Sequence, residues 1–172
     1  LLLIPFIGFG QVNTFPWVNN FENNIPLEQD PNDDGDWLLK QGSTPSFNTG
    51  PTGDHTTGSG TYFYVEASAP NFPNKQFISY TPTFDVSATP GKVLSFWYHM
   101  FGPEMGELEI AAIDVMGNYI FIGAYDGDQG MPWHFAYYPL DSLNLQHDFK
   151  IAFVGNTGTL YTSDICIDDL KV

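Results

Sequence analysis

The chain has 172 residues, of which 42% are hydrophobic and 16% aromatic, and its 20 Asp and Glu outnumber five Lys and Arg. The formal charge of -15 excludes nucleic acid as a partner, because a phosphate backbone requires a basic surface. The apolar content excludes a disordered acidic chain. One Cys cannot close an intramolecular disulfide, and four scattered His give no zinc cluster. The length predicts a single domain.

The first ten residues (LLLIPFIGFG) form a short apolar run with small residues at its end. This order is typical of the apolar region and cleavage site of a signal peptide, so we expect residues 1–10 to be a remnant of one. A buried first strand is the alternative. Residues 11–172 are then predicted to form one domain. No other apolar run approaches the roughly 18 residues of a membrane span, and we expect none.

The remainder of the chain alternates short β-like segments with Gly, Pro, Asn and Asp. No window has the apolar spacing of a helix, which predicts an all-β fold. Side chains of residues 61–67 (TYFYVEA) are expected to alternate between the two faces of a strand, with the two tyrosines on one face. Residues 94–100 (LSFWYHM) are apolar on both faces, and they are predicted to form a central strand.

Residues 108–115 and 119–124 flank a turn, residues 116–118 (MGN), whose Gly and Asn tolerate positive φ. This pattern predicts a β-hairpin. Three further strands are predicted over residues 133–138, 149–154 and 164–172. A total of about eight to ten strands fits two packed sheets.

Residues 23–60 and 125–132 are predicted to be long loops, which in a compact domain are usually functional or tied down. Within the first, residues 30–36 (DPNDDGD) have the acidic spacing of a calcium loop. The bidentate Glu that such a loop needs is replaced by Gln41, so we interpret this segment as a solvated acidic loop.

In order, these segments resemble a MAM domain, the extracellular module of meprins, a neuropilin-type antigen and receptor tyrosine phosphatase mu. The resemblance covers residues 20–172. It rests on NFE at 20–22, DW at 36–37, GSTPS at 42–46, TGPTGDHT at 49–56, GTY at 60–62, VEAS at 65–68, LSFWYHM at 94–100, Gly102, MGEL at 105–108, QG at 129–130, Trp133 and DICIDDL at 164–170.

The resemblance implies a jelly-roll-like sandwich of two antiparallel β-sheets. It also implies a recognition or adhesion module of a larger secreted or cell-surface protein, covalently linked to further domains and contacting a protein or a cell-surface glycan. Asn19 and Val93 stand where many family members carry disulfide cysteines, so the chain is similar to the Cys-poor versions found in secreted bacterial proteins. Cys166 is predicted to be a buried, inert thiol.

We predict a calcium site formed by Glu22, Asp54 and Asp168, because calcium prefers several carboxylate and carbonyl oxygens. Asp169 is the weaker candidate, since strand alternation directs it to the opposite side. The site is partly an analogy with other sandwich domains that hold calcium between their terminal strands. The alternative is that Asp54 caps a turn and Glu22 accepts a backbone amide.

Aromatic residues form a second candidate site. Tyr62, Tyr64, Trp133 and Tyr137 lie on strands that could neighbour one another, and such a platform can stack on sugar rings. This arrangement predicts a carbohydrate-binding module as the alternative to protein adhesion. Core packing of these rings is the competing interpretation.

The sequence offers no candidate catalytic residue. Its Ser and His lack the spacing of a nucleophile elbow or a zinc protease, and paired carboxylates are expected by chance among 20 acids. His55, in the GDHT turn, is predicted to hydrogen-bond within its loop. We therefore expect a protein that is not an enzyme.

Overall fold

The structure, a computed structural model, describes residues 10–85, 87, 90–143, 145 and 147–172. The prediction for residues 1–10 therefore lies outside the described residues, apart from Gly10. The described part contains eleven strands: β1 Val18–Asn19, β2 Glu28–Gln29, β3 Leu38–Gln41, β4 Thr61–Val65, β5 Gln76–Tyr80, β6 Val93–Met100, β7 Glu107–Asp114, β8 Tyr119–Asp126, β9 His134–Pro139, β10 Phe149–Asn156 and β11 Ile165–Lys171. A short 3₁₀ turn, Leu140–Leu143, follows β9.

These strands form two sheets. The five-stranded sheet has the order β2-β5-β10-β7-β8, and the six-stranded sheet has the order β3-β4-β11-β6-β9, with β1 also paired to β11. Every strand pair is antiparallel, so the predicted all-β sandwich of two antiparallel sheets is confirmed. The β1–β11 pair continues into Trp17 and Val172, whose N–H groups each donate to the other's carbonyl.

The main core lies between the sheets and consists of the inward-facing residues of each strand. Phe63 of β4 is fully buried and stacks between Phe21 and Trp37, at centroid distances of 5.2 and 5.4 Å. The Trp37 indole N–H donates to the Phe77 carbonyl at 3.0 Å, which ties the two sheets together. Aromatic rings therefore fill much of the space between the sheets.

The six-stranded sheet is also apolar on its outer face, the face directed away from the five-stranded sheet. There Tyr62, Tyr64 and Cys166 form a second buried cluster, against which Trp133 packs. The segment that covers them is the connection between β3 and β4, residues 42–60, which we call the covering loop. Cys166 is fully buried and its burial raises the pKa of the thiol, which confirms the predicted buried Cys.

Several predicted elements agree with the structure. The hairpin forms as β7 and β8, and Gly117 at its bend has φ of 84°. The segment that is apolar on both faces is β6, which lies between β11 and β9 as a central strand. The predicted strands that begin near residues 133, 149 and 164 correspond to β9, β10 and β11.

Other predictions were wrong. Residues 23–60 are not a continuous loop, because they contain β2 and β3, and β5 and β1 had no counterpart in the predictions. The acidic segment 30–36 is not simply solvated: the Asp33 and Asp34 carboxylates accept hydrogen bonds from the backbone of β5. No helix in the described part of the chain is long and apolar enough to cross a membrane.

We expect Phe63→Ala to lower the free energy of unfolding by about 3–5 kcal/mol, because it removes a buried ring and leaves a cavity. Phe135→Ala, at a ring that is 55% exposed, should change it by no more than about 0.5 kcal/mol. Urea unfolding of the three proteins measures both effects. Equal losses in the two variants would contradict the assignment of Phe63 to the core.

Candidate functional site

The covering loop is held over one half of the outer face by hydrogen bonds at its start and in its central part. The Tyr62 hydroxyl donates to the Gly42 carbonyl at 2.7 Å, and the Trp133 indole N–H donates to the Gly53 carbonyl at 3.2 Å. The backbone N–H of Asp164 donates to the Thr49 hydroxyl at 3.0 Å. These contacts come from three parts of the chain, so the loop is part of the folded structure.

The predicted aromatic platform is contradicted for both tyrosines of β4. Tyr62 and Tyr64 are 0% and 3% exposed, because the covering loop lies over them. Burial raises the pKa of both hydroxyls. Trp133 is half-buried and packs on Tyr62, whereas Tyr137 is 58% exposed. Of the four predicted rings, Tyr137 is therefore the one that solvent reaches freely.

Two of the predicted calcium ligands meet at Gly60. The Glu22 carboxylate accepts the Thr61 N–H at 2.8 Å, and the Asp54 carboxylate accepts the N–H groups of Thr57 and Gly60. A Cβ at Gly60 would lie 2.0 Å from Glu22 Oε1 and 3.0 Å from Asp54 Oδ2, so only glycine leaves room for both carboxylates. Burial alone would raise the pKa of Asp54, but its hydrogen bonds lower it below the usual value.

The other two predicted ligands are neighbours at the end of β11, where the pairing with β6 shifts register. Asp168 is 1% exposed and accepts the N–H groups of His55 at 2.9 Å and Asp169 at 2.7 Å. Burial, with the nearby charges of Asp169 and Asp54, raises the pKa of Asp168 to about 7. The ionised form of a buried carboxylate of this kind is stabilised by any positive charge placed beside it.

Asp169 does not point away from the covering loop, and this prediction was wrong. Its φ of 49° places it in the left-handed region, which interrupts the alternation of the strand. Its carboxylate bonds His55 Nδ1 at 2.7 Å and also accepts the Thr56 hydroxyl. Asp168 and Asp169 therefore hold two successive residues of the same loop, and His55 has the predicted hydrogen-bonding position.

The four carboxylates do not form a side-chain metal cluster: in the described residues, no group of three or more His, Cys, Asp and Glu is arranged to hold a metal ion. Both hydrogen-bonding roles that we named as the alternative are present, with Asp54 capping a turn and Glu22 accepting a backbone amide. The carboxylates thus connect the N-terminal segment, the covering loop and β11.

The other half of the outer face is open to solvent. Cross-strand pairs of β6 with β9 and of β11 with β6 place Trp97, Ser95, Phe135, Tyr137 and Lys171 on this face. His55 stacks on Trp97 at 3.7 Å, and the Trp97 ring lies 5.3 Å from Phe135, so one row of rings runs from the covering loop to the sheet edge.

Beside this row lies a groove of about 410 Å³. Phe135 and Lys171 belong to it and were not predicted as site residues. The spacing of residues 133–138 could have identified Phe135, since it lies two positions before Tyr137 on the same strand face. We call this space the groove; it is lined by Phe15, Pro16, Pro90, Gly91, Lys92, Val93, Ser95, Phe135, Tyr137, Lys171 and Val172.

Comparison with known proteins agrees with this architecture. Residues 19–172 match the family described as MAM domain, meprin/A5/mu. The chain is 34% identical over 164 residues to thyroid hormone-induced protein B of Xenopus laevis, covering 93% of this chain and 23% of that protein. It is 33% identical over 153 residues to MAM domain-containing protein 2 of Mus musculus, covering 88% and 21%. The chain thus spans about a fifth of these relatives.

Among solved structures, the fold is similar to the K1 cleaved adhesin domain of Lys-gingipain from Porphyromonas gingivalis, with a TM-score of 0.61. That likeness covers 92% of this chain and 97% of the adhesin domain at 16% identity, so it concerns the fold alone. Fold and site together define an antiparallel β-sandwich with a loop-covered outer sheet. The chain belongs to the MAM domain family.

One buried carboxyl group makes the stability of the fold depend on pH. Asp164 is fully buried; its Oδ1 accepts the Ala67 N–H at 2.9 Å, but its Oδ2 has no hydrogen-bond partner. The neighbouring Thr44 hydroxyl donates instead to the Thr49 carbonyl at 3.1 Å. Burial raises the pKa of Asp164 from 3.8 to about 7, so the folded protein holds this proton where the unfolded chain has lost it.

We expect the stability contributed by Asp164 to be complete below about pH 4 and to be lost as the pH rises to about 7. Asp164→Asn keeps the acceptor for Ala67 and removes the titration, so it should make the protein more stable than the wild type at pH 8, on the order of a few kcal/mol. Urea unfolding of both proteins between pH 4 and 8 measures the difference. A difference that does not change with pH would contradict this assignment.

Proposed function

We propose that this chain is a non-catalytic recognition and adhesion module of a larger secreted or cell-surface protein. The observation that carries the proposal is the open half of the outer face, where Phe135 and Tyr137 are 55% and 58% exposed beside the groove. Exposed aromatic residues beside a concave surface are typical of binding sites. The relatives support the extracellular setting, since one is a MAM domain-containing glycosylphosphatidylinositol anchor protein of Gallus gallus and another is neuropilin-1a of Danio rerio.

The titratable groups of the site support a binding role over catalysis. Asp168, Asp169 and His55 are engaged with one another and with the loop backbone, so their polar atoms hold the covering loop in place. The open half presents aromatic rings, a serine and a lysine, a set that suits contact with a ligand surface. Attachment to further domains is part of the proposal, because the relatives are about five times as long as the aligned region.

A carbohydrate ligand is the alternative to a protein partner. The observation that favours it is the position of Phe135 and Tyr137, which lie two residues apart on one face of β9 and are both exposed. Flat aromatic rings in a row can stack on successive sugar rings.

The recognition role is tested by displaying the chain on fluorescent beads and measuring binding to panels of purified extracellular proteins and glycans. We expect binding that is lost in a Phe135→Ser, Tyr137→Ser double variant. A matched double variant, Tyr119→Ser with Phe121→Ser, changes rings that are 53% and 57% exposed on β8 of the other sheet and should retain it. Absence of binding to every member of both panels would overturn the proposal.

We also propose that calcium stabilises the fold, bound by backbone carbonyls of residues 54–60 together with Glu22, Asp54 and Asp168, with Asp169 beside them, since the carboxylates of the described residues do not form a metal cluster by themselves. Two observations support this: Gly60 leaves room for the Glu22 and Asp54 carboxylates, and Asp168 is a buried carboxylate whose charge is disfavoured by Asp54 and Asp169. Carboxylate and carbonyl oxygens are the ligands that calcium takes. Bound calcium would supply the positive charge that these segments lack.

We expect excess calcium to raise the midpoint of thermal unfolding, relative to chelator, by about 5–10 °C, since an ion at a hundred times its dissociation constant adds about 2.7 kcal/mol. Asp168→Asn should abolish the shift, whereas Asp36→Asn, in an exposed position, should preserve it. Magnesium at the same ionic strength controls for general screening. No shift of the wild type in millimolar calcium would show that these carboxylates are hydrogen-bonding groups alone.

A further inference from the structure

We propose that strand β9 binds an extended, positively charged segment of a partner protein, which adds a strand to the six-stranded sheet. This inference rests on the proposed recognition role, and it names the part of the partner and the groups that hold it. Those groups are the rings of Phe135 and Tyr137 together with the backbone N–H and carbonyl groups of the same two residues.

β9 has a free side. It lies at the end of the order β3-β4-β11-β6-β9, so β6 pairs with one side of it and no strand in the described part of the chain pairs with the other. All of His134–Pro139 pairs with β6 without a shift of register. The Gln129 N–H donates to the Met100 carbonyl at 2.8 Å, and the Gln129 carbonyl lies 2.8 Å from His134 Nε2. The loop before β9 is thus fixed at the end of β6.

The backbone groups on this free side belong to Phe135 and Tyr137. In an antiparallel pair, residues that bond the neighbouring strand alternate with residues whose N–H and carbonyl groups point away from it. The Leu140 N–H donates to the Lys92 carbonyl at 2.9 Å, and these two residues continue the register of β9 with β6. The residues two, four and six positions before Leu140 therefore bond β6. Phe135 and Tyr137, whose rings are exposed, direct their backbone groups to the free side.

The other strand edges of the sandwich are protected in ways that β9 is not. β1 and β2 have two residues each, β8 has a register shift, and β3 carries Lys40. Short edge strands, bulges and lysines discourage pairing with another chain. β9 has six residues, no Asp, Glu, Lys or Arg, and no register shift. Its one protective feature is Pro139 at its end, so the part that can pair is centred on Phe135 and Tyr137.

A strand added beside β9 would find aromatic rings on both faces. Neighbouring strands lie about 4.8 Å apart, so side chains opposite Phe135 and Tyr137 would contact those rings on the outer face. On the inner face, Tyr138 stacks with Phe96 and is half-buried, which leaves part of its ring for the side chains that alternate with them. Apolar residues, β-branched or aromatic, therefore suit the partner segment.

The partner segment should also be basic. The stretch 126–141, which contains β9, has three Asp and no Lys or Arg, in a protein of formal charge -15. Asp128 and Asp141, on either side of β9, are both exposed. Lys171 lies on β11, two strands away from the free side, and the Lys92 ammonium lies over the Phe15 ring. A positively charged segment is therefore attracted to this edge.

A second copy of the chain is a poorer occupant of the same edge. Two copies carry the same negative charge and repel each other. In a pair of β9 strands, Pro139 of each copy has no N–H to donate, so the ladder would lose a hydrogen bond at each end. A foreign segment has neither disadvantage, and the edge therefore suits it better.

The first measurement is amide hydrogen exchange of the full chain, followed by NMR. In the free protein, we expect the N–H groups of Phe135 and Tyr137 to exchange at least about tenfold faster than those of Ala136 and Tyr138, which bond β6. A bound strand should slow exchange at Phe135 and Tyr137 by about tenfold or more and should affect the other two much less. A ligand that only stacks on the rings would not produce this alternation.

The probe is a linear peptide selected against the full chain from a phage-displayed random library and then synthesised. One analogue is N-methylated at every second residue, and the other is N-methylated at the remaining residues, so each removes the donors of one edge and keeps the side chains. We expect one analogue to bind at least about tenfold more weakly and the other to bind nearly as the parent does. The parent should carry net positive charge, and its affinity should fall as salt rises.

Two variants at one position separate the ring from the backbone. Tyr137→Ala removes the ring, whereas Tyr137→Pro removes the ring and the N–H on the free side. Edge strands accept proline where the N–H faces solvent, as at Pro139 two positions later. We expect Tyr137→Pro to bind the peptide about fivefold more weakly than Tyr137→Ala does, as one lost hydrogen bond requires. Tyr119→Ala should bind as the wild type does. If unfolding curves show that Tyr137→Pro is not folded, the methylated peptides and the exchange rates decide.

The outcomes separate this inference from the proposed recognition role. Equal binding of the two methylated analogues, a selected peptide without positive charge, or self-association that protects Phe135 and Tyr137 overturns the inference. So does a library that yields no peptide dependent on these two residues. If the bead assay still finds binding that the Phe135→Ser, Tyr137→Ser variant loses, the recognition role stands without strand addition. If neither assay finds a ligand, both fail.

Discussion

The structure depends on the fact that the six-stranded sheet is apolar on both faces. One face packs against the five-stranded sheet, and the other must be shielded from water by some other part of the chain. In the described residues, the covering loop does this over the cluster of Tyr62, Tyr64 and Cys166. A loop laid on a sheet brings backbone N–H groups into a dry environment, where each needs an acceptor. The carboxylates of Asp54 and Asp168 meet that need for Gly60 and His55.

The acidic character of this region follows from the same requirement. Asp168 accepts two backbone N–H groups while buried, and Asp164 accepts one while its second oxygen has no partner. Asp168 holds the loop through its carboxylate and Asp164 through its backbone N–H, yet burial disfavours the ionised form of both carboxyl groups. The loop also ends partway across the sheet. The remainder of the outer face, from Trp97 to Tyr137, is therefore left for contact with other molecules.

Much of the fold could be predicted from the sequence, because alternation and turn residues are local properties of a strand. The hairpin of β7 and β8 and the central position of β6 are of this kind. The burial of Tyr62 and Tyr64 could not be predicted, because the loop that covers them is anchored by Trp133 and Asp168 from distant parts of the chain. The alternation of side chains between the two faces of a strand also fails where one residue has a left-handed backbone conformation, as at Asp169. Strands of two residues, such as β1 and β2, are too short to show a pattern.

The adjacency of Trp17 and Val172 has a mechanical consequence. Tension applied between these two residues pulls on paired backbones at the point where they separate, so their two hydrogen bonds carry the load one after the other. Hydrogen bonds that are loaded one after the other break at a lower force than those of two paired strands pulled in shear, where all the bonds bear the load together. Because Phe15, Lys171 and Val172 line the groove, separation of this pair changes the shape of the groove.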